Sequence, residues 1–221
     1  MFDPVLRRLI DPPLDHAGAW LAGQGVSANG MSLAGLAVGL LAVPALALGR
    51  FDLALAAIVL NRLIDGLDGP IARHSGPTSF GGYLDIMCDM AFYAVVPLGF
   101  ALAGPGNAPW AALLLASFVC TGASFLGRAV LAAQRGEADD GQRGRKSFFH
   151  AAGLIEGSET IAAFVLFCLF PAAFPWLAGV FAVLCFWTAA ARVWEAYRSG
   201  GAASVHSEES SGATSGRKPG R

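Results

Sequence analysis

Asp65-Gly66-Leu67-Asp68-Gly69-Pro70-Ile71-Ala72-Arg73 is an acidic stretch in an otherwise apolar chain. Asp85 and Asp89 follow it in the next apolar run, so four carboxylates fall within 25 residues. A charge at the centre of a membrane helix costs roughly 2.5–3.5 kcal/mol, so acids kept in such segments mark a working site. Asp65 and Asp68 stand three apart and Asp85 and Asp89 four apart. Those spacings place each pair on one face of a helix. The link between the pairs is short, so the two helices are antiparallel neighbours and their acidic faces can meet. Four carboxylates in a partly dry site need counter-charge. Hard divalent cations with oxygen ligands, Mg2+ or Mn2+, suit them, and two such ions would also bind a diphosphate and favour phosphoryl transfer. Gly66 and Gly69 leave room for a ligand or a neighbouring helix, and Arg73 can hold a phosphate oxygen.

Outward from this stretch, the composition sets the class. The chain has 221 residues, 55% hydrophobic and 14% charged, with mean hydropathy +0.55. That is too apolar for a soluble domain and indicates an integral membrane protein. A net charge of -1 gives no field for nucleic acid, so no nucleic-acid partner is expected. Cys88, Cys120, Cys168 and Cys185 all lie in apolar runs without metal-type spacing and read as small hydrophobes. Spacing gives no Ser/His/Asp triad, P-loop or dinucleotide fingerprint. Residues 1–21 carry Asp3, Asp11, Asp15 and Pro12-Pro13, which does not resemble a secretory signal.

Six apolar runs read as spans: Met31–Gly49, a second that begins at Leu53–Ile64 and ends in the acidic stretch, Gly82–Ala103, Trp110–Ala133, Leu154–Phe170 and Trp176–Tyr197. Phe2–Leu21 precedes them as a broken amphipathic helix lying in the interface, with Arg7 and Arg8 toward the headgroups. Ser27 or Asn29 caps the first span. The fold expected is therefore an all-α membrane protein of six transmembrane helices behind an interfacial amphipathic helix. Residues 1–24 form the interfacial segment, 25–198 the membrane domain and 199–221 a disordered, Ser/Gly-rich tail. Six spans put both termini on one side. Arg50 is the only basic residue assigned to the other side, so the near side is cytoplasmic and the protein a multi-pass one of the cell's inner membrane. The four aspartates then sit at the cytoplasmic end of spans two and three. A cation- or proton-coupled transporter would also carry intramembrane acids, but at the midplane and not at the surface.

Asp65-x-x-Asp68-Gly69-x-x-Ala72-Arg73 followed by Gly81-x-x-x-Asp85-x-x-x-Asp89 resembles the signature of the CDP-alcohol phosphatidyltransferases. One departure stands out: seven residues, His74–Phe80, separate Arg73 from Gly81, where the family commonly has about eight. It marks a subgroup feature in the loop. The resemblance implies transfer of a phosphatidyl or similar substituted phosphate from a CDP-linked lipid, such as CDP-diacylglycerol, to an alcohol, with release of CMP. It implies that Asp65, Asp68, Asp85 and Asp89 bind metal and that Asp89 is also the general base. Asp68, Gly69, Ala72 and Arg73 would line the cytidine diphosphate site, with Asn29 beside it or serving as a helix cap. A homodimer among membrane lipids is implied as well. The roles agree with the chemistry, since an alcohol is a poor nucleophile until a positioned carboxylate takes its proton.

The acceptor is less legible. Ser117, Thr121, Ser124 and Arg128 form one polar stripe on the fourth span, which either lines an acceptor pocket or packs against a neighbour. Arg128, Arg145 and Lys146 could select an acceptor that is a phosphorylated small alcohol. Glu156 and Glu159 open the fifth span, where a helix dipole favours acids.

Overall fold

The computed structural model describes residues 3–134, 155 and 157–212, with side chains described over 12–134, 155 and 157–198. Among these residues the chain is all-helical: α1 Asp3–Gly23, α2 Ala28–Leu40, α3 Ala42–Ala47, α4 Phe51–Asp65, α5 Asp68–Ser75, α6 Ser79–Ala103, α7 Ala108–Gln134, α8 Gly157–Leu169 and α9 Phe174–Gly212.

Prolines decide where the helices bend. Pro44 has no N–H for the Leu40 carbonyl, and the first span breaks at Leu41 into α2 and α3. Gly49 then ends it at φ +70°, a left-handed turn that suits glycine. Pro12 and Pro13 do not have this effect in α1, which runs continuous backbone helix through both of them, against the expected break. His16 Nδ1 reaches the Pro12 carbonyl at 2.8 Å, so one carbonyl beside the prolines gains a side-chain partner. Ser27 caps α2 as expected, its hydroxyl accepting from the Gly30 amide at 3.1 Å.

Four segments are long and apolar enough to cross a membrane: 28–47, 79–103, 105–134 and 171–198. α4, with 15 residues, and α8, with 13, are shorter than the roughly 20 residues a perpendicular span needs. α9 stays helical to Gly212, past the point where the sixth span and the start of a disordered tail are expected.

The core is aromatic. Phe92, Phe100, Phe164, Phe167 and Phe174 are fully buried among α6, α8 and α9. Phe100 stacks on Phe174 with centroids 4.2 Å apart, and Phe167 meets both edge-on. Trp176, Trp187, Trp194 and Tyr197 lie on the outer surface of α9, as expected where the surroundings are lipid and not water. Glycines let helices approach closely. A Cβ on Gly39 would stand 2.6 Å from the Phe92 ring and 2.9 Å from Asn61 Nδ2, so α2 packs directly on α4 and α6.

α1 lies against α5, where a Cβ on Gly18 would run into the Pro70 side chain. α2 packs against α4, α5 and α6 together. The acidic stretch therefore sits in a seam between α4, α5 and α6, flanked by α1 and α2.

Candidate active site

Asp65 is the last residue of α4 and Asp68 the first of α5. The two do not share one unbroken helix, as the spacing suggests. Pro70 lacks the N–H that would bond the Gly66 carbonyl, and its ring crowds that carbonyl. The chain turns at Gly66 and Leu67 and restarts at Asp68. α5 ends at Gly76, whose φ of +97° turns the chain. Thr78 then caps α6, accepting the Gly81 amide at 3.0 Å. Most of the seven-residue stretch His74–Phe80 is thus helix end, and the true connection is Gly76–Thr78.

Asp85 and Asp89 follow on the second and third turns of α6. One carboxylate oxygen from each of Asp65, Asp68 and Asp85 lies within 4.8 Å of the other two. An octahedral Mg2+ bound at about 2.1 Å separates its ligands by about 3 to 4.2 Å, so small side-chain rotations would close the three on one hard cation. The donor set is all carboxylate, as Mg2+ or Mn2+ prefers.

Asp89 stands apart from this group. Its Oδ1 accepts from Arg62 Nη1 at 2.8 Å, and the same nitrogen lies 3.3 Å from Asp65 Oδ2. Arg62 is held in turn. Its Nε donates to Asn61 Oδ1 at 2.7 Å, and its guanidinium lies 4.6 Å from the centre of the Phe92 ring. Asn61 is buried and donates to the Gly35 carbonyl at 2.7 Å. Asp68 has its own partner: Ser32 of α2 lies 2.6 Å from Oδ2 and 3.2 Å from the Ala28 carbonyl. A hydroxyl has one proton, and the short contact to a charge takes it.

The expected nucleotide residues lie along α5 and beside it. Gly69 and Ala72 are half-buried on α5. Arg73 is exposed and forms an ion pair with Asp15 of α1, which holds the Asp15 carboxyl below its usual range. Asn29 meets the second half of the motif: a Cβ on Gly81 would stand 3.0 Å from Asn29 Oδ1. Gly81 is therefore a glycine because Asn29 and Thr78 crowd it.

The stripe on α7 packs more than it lines. Ser117, Thr121 and Ser124 donate to carbonyls of their own helix, and Thr121 Oγ1 also lies 3.2 Å from the Cys185 carbonyl of α9. Arg128 pairs with Glu195 of α9 at 3.1 Å. Glu159 accepts from Ser158 at 3.0 Å. Arg145, Lys146 and Glu156 lie outside the described residues.

Ser32, Asn61, Arg62 and Asp15 are absent from the sequence-derived set. Arg62 carries a signal, since it stands three residues before Asp65 on one helix face. Ser32 and Asp15 reach the site across 36 and 58 positions of sequence, and no local spacing marks them.

A family model described as CDP-alcohol phosphatidyltransferase matches residues 26–194. The inner membrane protein YnjF of Escherichia coli (strain K12) is 50% identical over 152 residues, 68% of this chain and 73% of that protein. The matched region holds α2 through α9 up to residue 194, and with them all four aspartates. The chain belongs to the CDP-alcohol phosphatidyltransferase family, whose chemistry is phosphatidyl transfer from a CDP-alcohol.

Proposed function

We propose that the protein is a metal-dependent enzyme of phospholipid synthesis. It takes a substituted phosphate from a CDP-linked lipid, such as CDP-diacylglycerol, and gives it to a small alcohol, phosphorylated or not, with release of CMP. The observation that carries this reading is the convergence of Asp65, Asp68 and Asp85 within 4.8 Å, one helical turn from Asp89.

Asp65, Asp68 and Asp85 would hold Mg2+ or Mn2+. When bound, the ion neutralises diphosphate charge and eases departure of CMP. Asp89 accepts the proton of the acceptor hydroxyl, and the alkoxide oxygen forms the new bond to phosphorus. The P–O bond to the CMP phosphate breaks, and its electron pair leaves with CMP. Gly69 lets the diphosphate lie close to the start of α5, and Arg73 binds it when Asp15 gives way. Asn29 fits the edge of the nucleotide site, where it already abuts Gly81. Arg128, bound to Glu195, is better placed to pack α7 on α9 than to receive an acceptor.

α4 and α8 complete six spans with the four longer segments, and α1 lies in the interface over α5. Residues 25–198 form the membrane domain. By the distribution of lysine and arginine, both termini and the site face the cytoplasm of an inner membrane. The protein works as a homodimer, as the family resemblance implies. A lipid donor then reaches the seam with its tails still in the bilayer.

The test is CMP release by the purified protein from CDP-diacylglycerol across a panel of alcohols. Release should need both an alcohol and Mg2+ or Mn2+. Release unaffected by chelation, or transport of a cation without CMP release, would refute the reading.

A further inference from the structure

Arg62 lies outside the motif, yet it occupies the space between Asp65 and Asp89, bonding one at 2.8 Å and approaching the other at 3.3 Å. An ion bridging those two carboxylates would have to stand where this guanidinium is. Three further contacts hold Arg62 there. Its Nε is bound by Asn61, whose amide is fixed by donating to the Gly35 carbonyl while accepting from Arg62. That pattern permits one orientation of the amide only. Phe92 lies under the guanidinium at 4.6 Å and Tyr93 at 5.8 Å, faces that favour a cation. The side chain is 18% exposed, so water cannot readily take its place.

We infer that Arg62 is a resident cation standing in for a second metal ion. The site then takes one divalent ion, on Asp65, Asp68 and Asp85. Asp89 stays outside its coordination, oriented by Arg62 through one oxygen. This departs from the pair of ions that the four aspartates suggest, and it rests on the metal-dependent reading above. The chemistry favours it: a divalent ion placed on Asp89 would sit within a few ångströms of a fixed guanidinium and be repelled. An Asp89 that is not coordinated keeps an oxygen free to take a proton. Arg62 is on this account a positioning residue, acting through Asp89.

Mn2+ alone is the probe, on the full chain in detergent, with binding counted by equilibrium dialysis and the ion's environment read by electron paramagnetic resonance. The wild type should bind one Mn2+ per chain with the spectrum of an isolated ion. Asp89→Asn should keep that count, with affinity changed less than about twofold, while Asp85→Asn should lose at least about tenfold. Arg62→Gln should admit a second, spin-coupled Mn2+, and Arg62→Lys should not. Two ions in the wild type, or a tenfold loss of affinity in Asp89→Asn, would overturn the inference and leave the metal-dependent reading standing. A wild type that binds no Mn2+ would overturn both. Should Arg62→Gln fail to fold, the wild type and Asp89→Asn still decide the matter.

Discussion

Ser32→Ala tests whether α2 belongs to the catalytic site or only packs beside it. In the native chain the Ser32 hydroxyl lies 2.6 Å from Asp68 Oδ2, within the range of a short bond to a charged acceptor, and Ser32 is buried. Such a bond contributes about 1.5–3 kcal/mol net. It fixes the Asp68 carboxylate in the orientation that brings it to Asp65 and Asp85. If the whole loss falls on the ion-bound state, 1.4 kcal/mol per tenfold gives about a 10- to 100-fold weaker Mn2+ affinity, in line with other residues that orient metal ligands. A water filling the space of the lost oxygen would move the result to the lower end. The assay is Mn2+ titration by calorimetry, alongside the Mg2+ dependence of CMP release. Ser124→Ala is the control, because that hydroxyl bonds the Thr121 carbonyl of its own helix and should leave the affinity unchanged. A folded Ser32→Ala protein with affinity within about twofold of wild type would refute the argument.

Asp89→Asn should abolish CMP release while keeping most binding of the CDP donor, measured by calorimetry; near-native turnover would remove Asp89 as the base. Gly18→Val would push a side chain into Pro70 and should cost about 1–3 kcal/mol, seen as faster hydrogen exchange across α1. Phe100→Ala removes a buried ring stacked on Phe174 and should destabilise by about 3–5 kcal/mol, read from thermal unfolding in detergent. The Asp15 carboxyl is lowered in the folded chain by Arg73, so its contribution is present above the ordinary carboxylate range and is lost as pH falls through its folded value. Protection of the α1 amides, taken relative to their intrinsic exchange at each pH, should therefore fall on acidification below about pH 4, and Asp15→Asn should remove most of that dependence.

The reaction class was legible because it rests on local spacing. The Asp85–Asp89 pair falls on one helix as read, and the three-residue step from Asp65 to Asp68 still brings both acids together across a break. That break was readable in principle from Pro70, four residues after the carbonyl it leaves unbonded. What spacing could not supply was partnership across the chain. The spacing marks Asp89 as a metal ligand with the other three but does not show that Arg62 lies against it. Nor does it show that Arg128, expected as an acceptor cation, pairs with Glu195, 67 positions away. The polar stripe of Ser117, Thr121 and Ser124 is real, but hydroxyls that bond their own helix need no ligand. The shortness of α4 was legible, because its apolar run ends at Ile64, before the acidic stretch.

Arg62 and Arg73, the two arginines that flank Asp65 and Asp68 in sequence, have opposite designs, and the difference fits the proposed reaction. Arg62 is buried, bonded through Asn61 to the backbone of α2 and backed by Phe92. Removing it would leave Asp65 and Asp89 unpaired in a partly dry seam, a costly change. Arg73 has one exposed ion pair, with Asp15, and both side chains are about half accessible. Exposed pairs are screened by water and contribute little, so a diphosphate carrying two charges would displace Asp15 at little cost. On the proposed reading, a site that admits and releases a nucleotide at every turnover would need an outer cation that exchanges partners. It would also need an inner one that does not, or the four carboxylates would drift apart whenever the seam emptied. The position of Asp15 on α1 adds a consequence. The helix that covers α5 is held through Arg73, so if the nucleotide claims that arginine as proposed, donor binding and the docking of α1 would draw on one charge.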